Sequence, residues 1–242
     1  MNLDRVRGWV AAAGRVAVLT GAGMSQESGV PTFRDAQTGL WAHFRPEELA
    51  TEEGFRADPQ RVWDWYAQRR AAMAQVAPNA GHVALADYGR RHPGKLTVIT
   101  QNVDGLHQRA GSAGVLALHG NIFEDRWVEP PRACCSSRPP VEARPPRCAV
   151  CGNLRRPAVV WFGEMLPEAA LEAAEQAAQA CQLMLVVGTS GAVYPAAGLA
   201  HVASEAGARV VVLNPHPSDL DSVADEVLRG TAATLLPKLL VD

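Results

Sequence analysis

The chain has almost no lysine: Lys95 and Lys238 are the only two, against 21 arginines. Its net charge is −2 at neutral pH, so it lacks the basic excess that holds a polyanion, and nucleic-acid binding is not expected. Long apolar runs are missing too. The longest, such as Leu183–Val187 and Val210–Leu213, have the length of a strand, far short of the roughly 20 residues that cross a bilayer. The opening residues, 1–10, carry charge and no apolar secretion core; the expectation is a cytoplasmic protein without membrane attachment. No Ser or Cys sits in a Gly-x-Ser-x-Gly elbow, which argues against a protein nucleophile. Cysteine is sparse, but four of the five fall within 18 residues, Cys134, Cys135, Cys148 and Cys151. In a reducing compartment such a cluster points to a metal before a disulfide.

What is present is a globular composition, 48% apolar and 20% charged over 242 residues, enough for one domain or two small ones. Short apolar runs at Val16–Leu19, Leu96–Thr100, Val115–Leu118, Ala158–Phe162, Leu183–Val187 and Arg209–Leu213 read as strands. Between them Arg5–Ala13, Arg61–Val76, Gly81–Arg91, Pro167–Ala180 and Ala196–Ala206 read as helices, with Leu235–Val241 closing the chain. This alternation predicts an α/β fold: a Rossmann-like parallel sheet with helices on both faces. From Trp127 to Pro157 the pattern breaks into seven prolines, four cysteines and six arginines, which predicts an insertion without its own apolar core.

The polar clusters share one position, just after a strand, where open α/β sheets bind ligands. Thr20-Gly21-Ala22-Gly23 makes a glycine turn into a helix start, suited to a pyrophosphate. It departs from GxGxxG, and no acidic residue closes a second strand about 20 residues on, as a hydride-transfer dehydrogenase would have. The others are Gln101-Asn102-Val103-Asp104, His119-Gly120-Asn121, Gly188-Thr189-Ser190 and Asn214-Pro215. A neutral imidazole such as His119 can take a proton near pH 7, and an amide side chain such as Asn102 can both donate to and accept from a ribose hydroxyl.

Taken as longer strings, these clusters resemble the sirtuin family. Gly21-Ala22-Gly23-Met24-Ser25-Gln26-Glu27-Ser28-Gly29-Val30-Pro31-Thr32-Phe33-Arg34 is similar to its first signature, Thr100–His107 to its second, and Leu118-His119-Gly120-Asn121 to its third. Val160-Trp161-Phe162-Gly163-Glu164 and Gly188-Thr189-Ser190 are similar to the remaining two, all in family order. The resemblance implies cleavage of NAD at the nicotinamide–ribose bond and transfer of the acyl group from lysine to the ribose. The products would be nicotinamide, 2′-O-acyl-ADP-ribose and free lysine. It implies His119 as general base, with Asn102 holding the ribose. Gln101 would touch the ribose, Asp104 the carboxamide, and Phe33 would shield the reactive face while Arg34 binds phosphate or holds its loop. Gly21, Ala22, Gly23, Gly188, Thr189, Ser190 and Asn214 would contact the cofactor.

Tyr66 and Arg69 lie three apart, on one helix face. A Tyr-x-x-Arg pair here resembles the sirtuin branch that removes succinyl and malonyl groups: a guanidinium can bind a terminal carboxylate bidentately while a phenol donates a further hydrogen bond. Ala50 matches a small residue that widens the pocket, and a wider pocket need not exclude acetyl. Acyl-lysine would enter against the backbone of Val160, Phe162, Gly163 and Tyr194. The implied division is a discontinuous NAD-binding domain of residues 1–33, 81–125 and 159–242. A small domain of 34–80 and 126–158 would hold a helical and a cysteine-containing module. The family's small domain holds structural zinc on two CxxC pairs. Cys148-Ala149-Val150-Cys151-Gly152 is a good knuckle, but Cys134 and Cys135 are adjacent. Both could ligate in an irregular site, one could ligate with a replacement partner, or zinc could be lost. A monomer acting on acyl-lysine proteins is expected. An ADP-ribosyltransferase on the same fold and a non-catalytic NAD or ADP-ribose binder are the alternatives.

Overall fold

The computed structural model describes residues 2–31, 46–137 and 140–241. Five of the apolar runs, together with a short strand that was not anticipated, form a six-stranded, wholly parallel sheet: β1 (Val16–Thr20), β2 (Leu96–Thr100), β3 (Leu116–Ala117), β6 (Leu183–Val187), β7 (Arg209–Leu213) and the unanticipated β8 (Glu226–Leu228). The spatial order is β3-β2-β1-β6-β7-β8, so chain direction across the sheet reverses between β1 and β6. That reversal opens the crevice in which doubly wound sheets bind ligands.

Every residue of β1 and β6 is buried, because alternate side chains enter different cores. Val16, Val18, Leu183, Leu185 and Val187 pack on one face against helices Leu3–Ala12, Ala80–Arg91 and Ala232–Leu239. Ala17, Leu19, Met184 and Val186 face the other side, against Glu168–Ala180 and Gly198–Glu205. No helix among the described residues is long and apolar enough to cross a membrane.

A second, two-stranded antiparallel sheet pairs β4 (Gly120–Trp127) with β5 (Arg155–Val159). Here the sequence expectations need correcting. β4 was not anticipated, because GNIFEDRW shows neither a continuous apolar run nor a clean alternation. The strand expected over Ala158–Phe162 runs earlier and stops at Val159. Residues 160–164 leave it as a turn, with Gly163 at φ +83°. Pro157 lies in β5 where the register shifts against Asn121 and Asp125, a place where a missing N–H does least harm. The insertion has no apolar core of its own, as expected: its Val128 and Leu154 rest against a third core built outside it from Leu49, Phe55, Val62, Tyr66, Met73, Ile122, Val159 and Trp161. Helix Pro59–Ala74, which carries Tyr66, is started by Asp58 accepting from the Arg61 N–H at 3.0 Å, an N-cap. Arg70 fastens it to β4 through the Ile122 carbonyl, the Glu124 carbonyl and Asp125. Asn79 caps the start of Ala80–Arg91.

Candidate active site

The turns after β1 and β6 touch. The Gly23 N–H donates to the Gly188 carbonyl at 2.8 Å and the Gly21 N–H to the Val187 carbonyl at 3.0 Å. A Cβ on Gly23 would lie 2.8 Å from the Gly188 Cα, and one on Gly188 would lie 2.4 Å from the Met24 nitrogen. Neither contact is tolerable, and Gly188 also has φ +61°, so glycine is required where the crevice opens. Ala22 is exposed beside this contact and opens a 3-10 turn, Ala22–Met24.

The end of β2 delivers the amides. Asn102 donates both amide hydrogens inward, to the Gly21 carbonyl at 3.0 Å and to Ser25 Oγ at 3.1 Å. Its own oxygen is therefore left to accept from a hydroxyl. Ser25 Oγ donates to Asp104 Oδ2 at 2.7 Å, and the Leu106 N–H donates to Oδ1 at 2.9 Å. Burial raises the pKa of Asp104 despite these donors. Behind Ser25 stands His82. The Asn79 N–H donates to its Nδ1 at 3.3 Å, so Nε2 carries the proton and points it at Ser25 Oγ, 3.4 Å away. Burial lowers His82 to about 4, which keeps it a neutral donor. Gln101 bridges to β6 through Nε2 and Thr189 Oγ1 at 3.3 Å. Asn214, at the end of β7, donates to the Thr189 carbonyl at 2.8 Å and accepts from the His216 N–H at 3.3 Å, bracing the same turn. The Ser190 carbonyl accepts from the Asp219 N–H at 2.9 Å.

His119 follows β3. Its Nδ1 lies 2.9 Å from the Gln101 carbonyl oxygen. A carbonyl only accepts, so Nδ1 holds the hydrogen and Nε2 presents a lone pair. Burial pushes this imidazole below its ordinary 6.5. The Val160 N–H donates to the His119 carbonyl at 2.9 Å and the Phe162 N–H to the Ala50 carbonyl at 2.9 Å. The turn after β5 is thus stitched between His119 and Ala50. Phe162 in this turn and Met165 just after it stand exposed at 61% and 90%, and Tyr194 is exposed at 66%, apolar surface of the kind that marks a docking site. Gly163 is exposed in the same turn.

Tyr66 is buried in the third core. The Trp161 indole N–H donates to its hydroxyl at 2.9 Å, and burial raises its pKa. The Arg69 guanidinium lies over the Trp65 ring, 4.8 Å from its centroid, and Trp65 meets Tyr66 edge-on at 4.6 Å. Burial disfavours the charged form of Arg69, so an incoming anion would be welcome there. Phe33 and Arg34 lie outside the described residues.

The difficulty expected for adjacent cysteines does not arise. The four sulfurs of Cys134, Cys135, Cys148 and Cys151 lie within 4.8 Å of one another. A tetrahedral zinc with bonds near 2.3 Å needs about 3.8 Å between sulfurs. Cys134 and Cys135 sit in the single helical turn Ala133–Ser136, where neighbouring side chains diverge by about 100°. The knuckle, with Gly152 at φ +73°, then reaches both. Backbone N–H groups of Cys151 and Val150 hold the Cys148 thiol down to about 6, suited to a thiolate ligand. Inductively coupled plasma spectrometry of the purified protein is expected to find one zinc per chain. Cys148→Ser is expected to lose that zinc and lower the melting temperature by several degrees. Zinc retained in the variant would mean the cluster is not the site.

Ser25, Asn79, His82, Trp161 and Arg156 were not singled out beforehand. Ser25 and Trp161 stood inside the quoted motifs, and Asn79 with His82 spelled a capping pair; pairing partners 57 to 95 residues apart left no local signal.

Comparison with known proteins agrees with this geometry. The Sir2 family model matches residues 21–195. An NAD-dependent protein deacylase of Ralstonia nicotianae is 56% identical over 98% of this chain and 95% of its own. One of Mycolicibacterium paratuberculosis is 49% identical over 93% and 96%. Among solved structures, a Sir2 homolog–NAD complex superposes with TM-score 0.87 at 40% identity, covering 98% of this chain and 92% of that one. A Sir2–p53 peptide–NAD+ complex gives 0.84 at 30%, covering 99% and 98%.

Proposed function

The chain belongs to the Sir2 family, and from that premise we propose that it is an NAD-dependent protein-lysine deacylase whose pocket is built for acidic acyl groups, succinyl and malonyl, while still admitting acetyl. The observation that carries the catalytic half is the His119 Nδ1–H bond to the Gln101 carbonyl at 2.9 Å, which leaves Nε2 as a base at neutral pH. The residues present fit NAD: glycine turns meet at the sheet's reversal, and side-chain amides and a buried carboxylate line the strand ends beside them. NAD supplies the ribose hydroxyls that take the acyl group and the nicotinamide that leaves. Gly21, Ala22, Gly23, Gly188, Thr189, Ser190 and Asn214 hold the dinucleotide. Gln101 and Asn102 orient the ribose, Asp104 the carboxamide, and His119 takes the hydroxyl proton. Positioning and charge do the rest, with no protein nucleophile.

Acidic-acyl recognition rests on Tyr66 and Arg69 sharing one aromatic wall beside the turn that contacts His119. Ala50 leaves room at the mouth. The acyl-lysine peptide lies along Val160, Phe162, Gly163 and Tyr194. We assign the dinucleotide domain to residues 1–33, 81–125 and 159–242 and the small domain to 34–80 and 126–158. The latter holds a structural zinc away from the strand ends that carry the chemistry. The working unit is a monomer without affinity for nucleic acid. Matched succinyl-lysine and acetyl-lysine peptides with NAD test this: faster turnover of the succinyl peptide and formation of succinyl-ADP-ribose are expected by mass spectrometry. ADP-ribose mass added to a protein instead would establish a transferase, and no turnover of either peptide would leave a binding protein.

A further inference from the structure

We infer that Trp161 is a specificity-determining residue of the acyl pocket: its indole N–H occupies the Tyr66 oxygen as a donor and thereby commits the phenol hydrogen to an anionic acyl group. The inference rests on the acidic-acyl reading above and adds to it the element that polarises the phenol.

A phenol can turn either its hydrogen or a lone pair toward a ligand. Toward a carboxylate only the first is attractive. The indole nitrogen removes the ambiguity, since it donates and never accepts, and it lies 2.9 Å from Tyr66 Oη. With that lone pair engaged, the hydrogen is what the phenol has to offer, and no described residue accepts it. Burial keeps the hydrogen on the oxygen at neutral pH.

The indole is held so that it cannot swing away. The Arg156 guanidinium lies against its face, 3.3 Å from the ring centroid, and Phe55 packs beside it at 5.4 Å. Arg156, 2% exposed, is itself fixed by the Val159 carbonyl at 2.7 Å and by Glu164. Glu164 also accepts the Trp161 backbone N–H at 2.8 Å and Arg126 at 2.8 Å. Backbone and ring of one residue are therefore clamped by the same ion pair. A residue needed only as an apolar wall would have no use for a donor aimed at the Tyr66 phenol. Trp161 also precedes Phe162 and follows Val160, whose N–H groups bind Ala50 and His119. The polarity of Tyr66 is thus set by the same turn that borders the base.

The test is a double-mutant cycle on the ratio of kcat/KM for succinyl-lysine to that for acetyl-lysine, in wild type, Trp161→Phe, Tyr66→Phe and the pair, with Arg69→Met alongside. Phenylalanine keeps an aromatic body over Arg156 and removes the donor together with one ring of the indole, a loss of volume that is common to both Tyr66 backgrounds and cancels in the cycle. The ratio is expected to fall about fivefold to tenfold in Trp161→Phe, the scale of one ordering hydrogen bond, and to fall no further when Trp161→Phe is added to Tyr66→Phe. An unchanged ratio in Trp161→Phe, or an equal fall in the Tyr66→Phe background, overturns the inference while the acidic-acyl reading survives. A wild-type ratio near one that Arg69→Met does not move overturns both. Should Trp161→Phe not fold, the wild-type indole N–H resonance decides. It is expected upfield in Tyr66→Phe and shifted in wild type by a succinyl-lysine peptide without NAD; no shift in either case overturns the inference.

Discussion

Replacing His119 with asparagine is expected to lower kcat for deacylation by roughly 100- to 10,000-fold, the range that a positioned general base contributes. The fold and the binding of both substrates should stay nearly intact. Asparagine is chosen because its amide can still donate to the Gln101 carbonyl that now accepts from Nδ1 at 2.9 Å. The turn after β3 would keep its anchor and lose only the basic nitrogen. The pH profile sharpens the test. Burial disfavours the imidazolium and lowers the pKa of His119 below 6.5, so the neutral base persists to lower pH than a free imidazole would. Wild-type activity is therefore expected to hold from neutrality down past pH 6.5 and to drop only as pH falls through the lowered value. The variant's residual rate should be flat across that window. Single-turnover rates over a pH series would check this. A variant that keeps wild-type kcat and the same acid limb would move the base elsewhere.

How far the sequence announced this arrangement depends on burial. β1, β6 and β7 were legible because a strand buried on both faces reads as an unbroken apolar run, and the ligand-facing residues follow such runs directly. β4 was not, and β5 was read displaced by three residues, since their pairing tolerates polar residues, a proline and a register shift. The strand-end cluster of Asn102, Asp104 and His119, to which we assign cofactor binding and the base, was legible as motif. What holds it was not: Ser25, Asn79 and His82 act through hydrogen bonds between segments far apart in the chain. The cysteine cluster was legible as a metal site, but the part of the adjacent pair was left open for a local reason: a spacing rule written for knuckles carries no information about two neighbours in one helical turn.

Arg69→Met is expected to remove the preference for acidic acyl groups. Succinyl-lysine kcat/KM should fall about 100-fold while acetyl-lysine changes by only a few-fold. The asymmetry follows from what each acyl group leaves behind. A succinyl carboxylate entering the Tyr66 wall must shed water, and a buried charge without a counter-charge is costly. Arg69 offsets that with hydrogen bonds to a charged group, about 1.5–3 kcal/mol each. Two such bonds, less the cost of ordering the side chains, correspond to about two decades of rate. Acetyl has no charge to satisfy, and methionine, flexible and of similar reach, fills the space the guanidinium leaves over Trp65. Arg69→Lys separates charge from shape: the ammonium keeps the attraction but cannot present the planar fork, so an intermediate loss is expected. The preference should also survive added salt better than a surface ion pair would, because Arg69 is half-buried and desolvated. Steady-state kinetics on the two peptides, at low and high ionic strength, reads all three effects. A wild type that prefers acetyl, with both variants leaving that preference in place, would make Arg69 a structural cation held on Trp65.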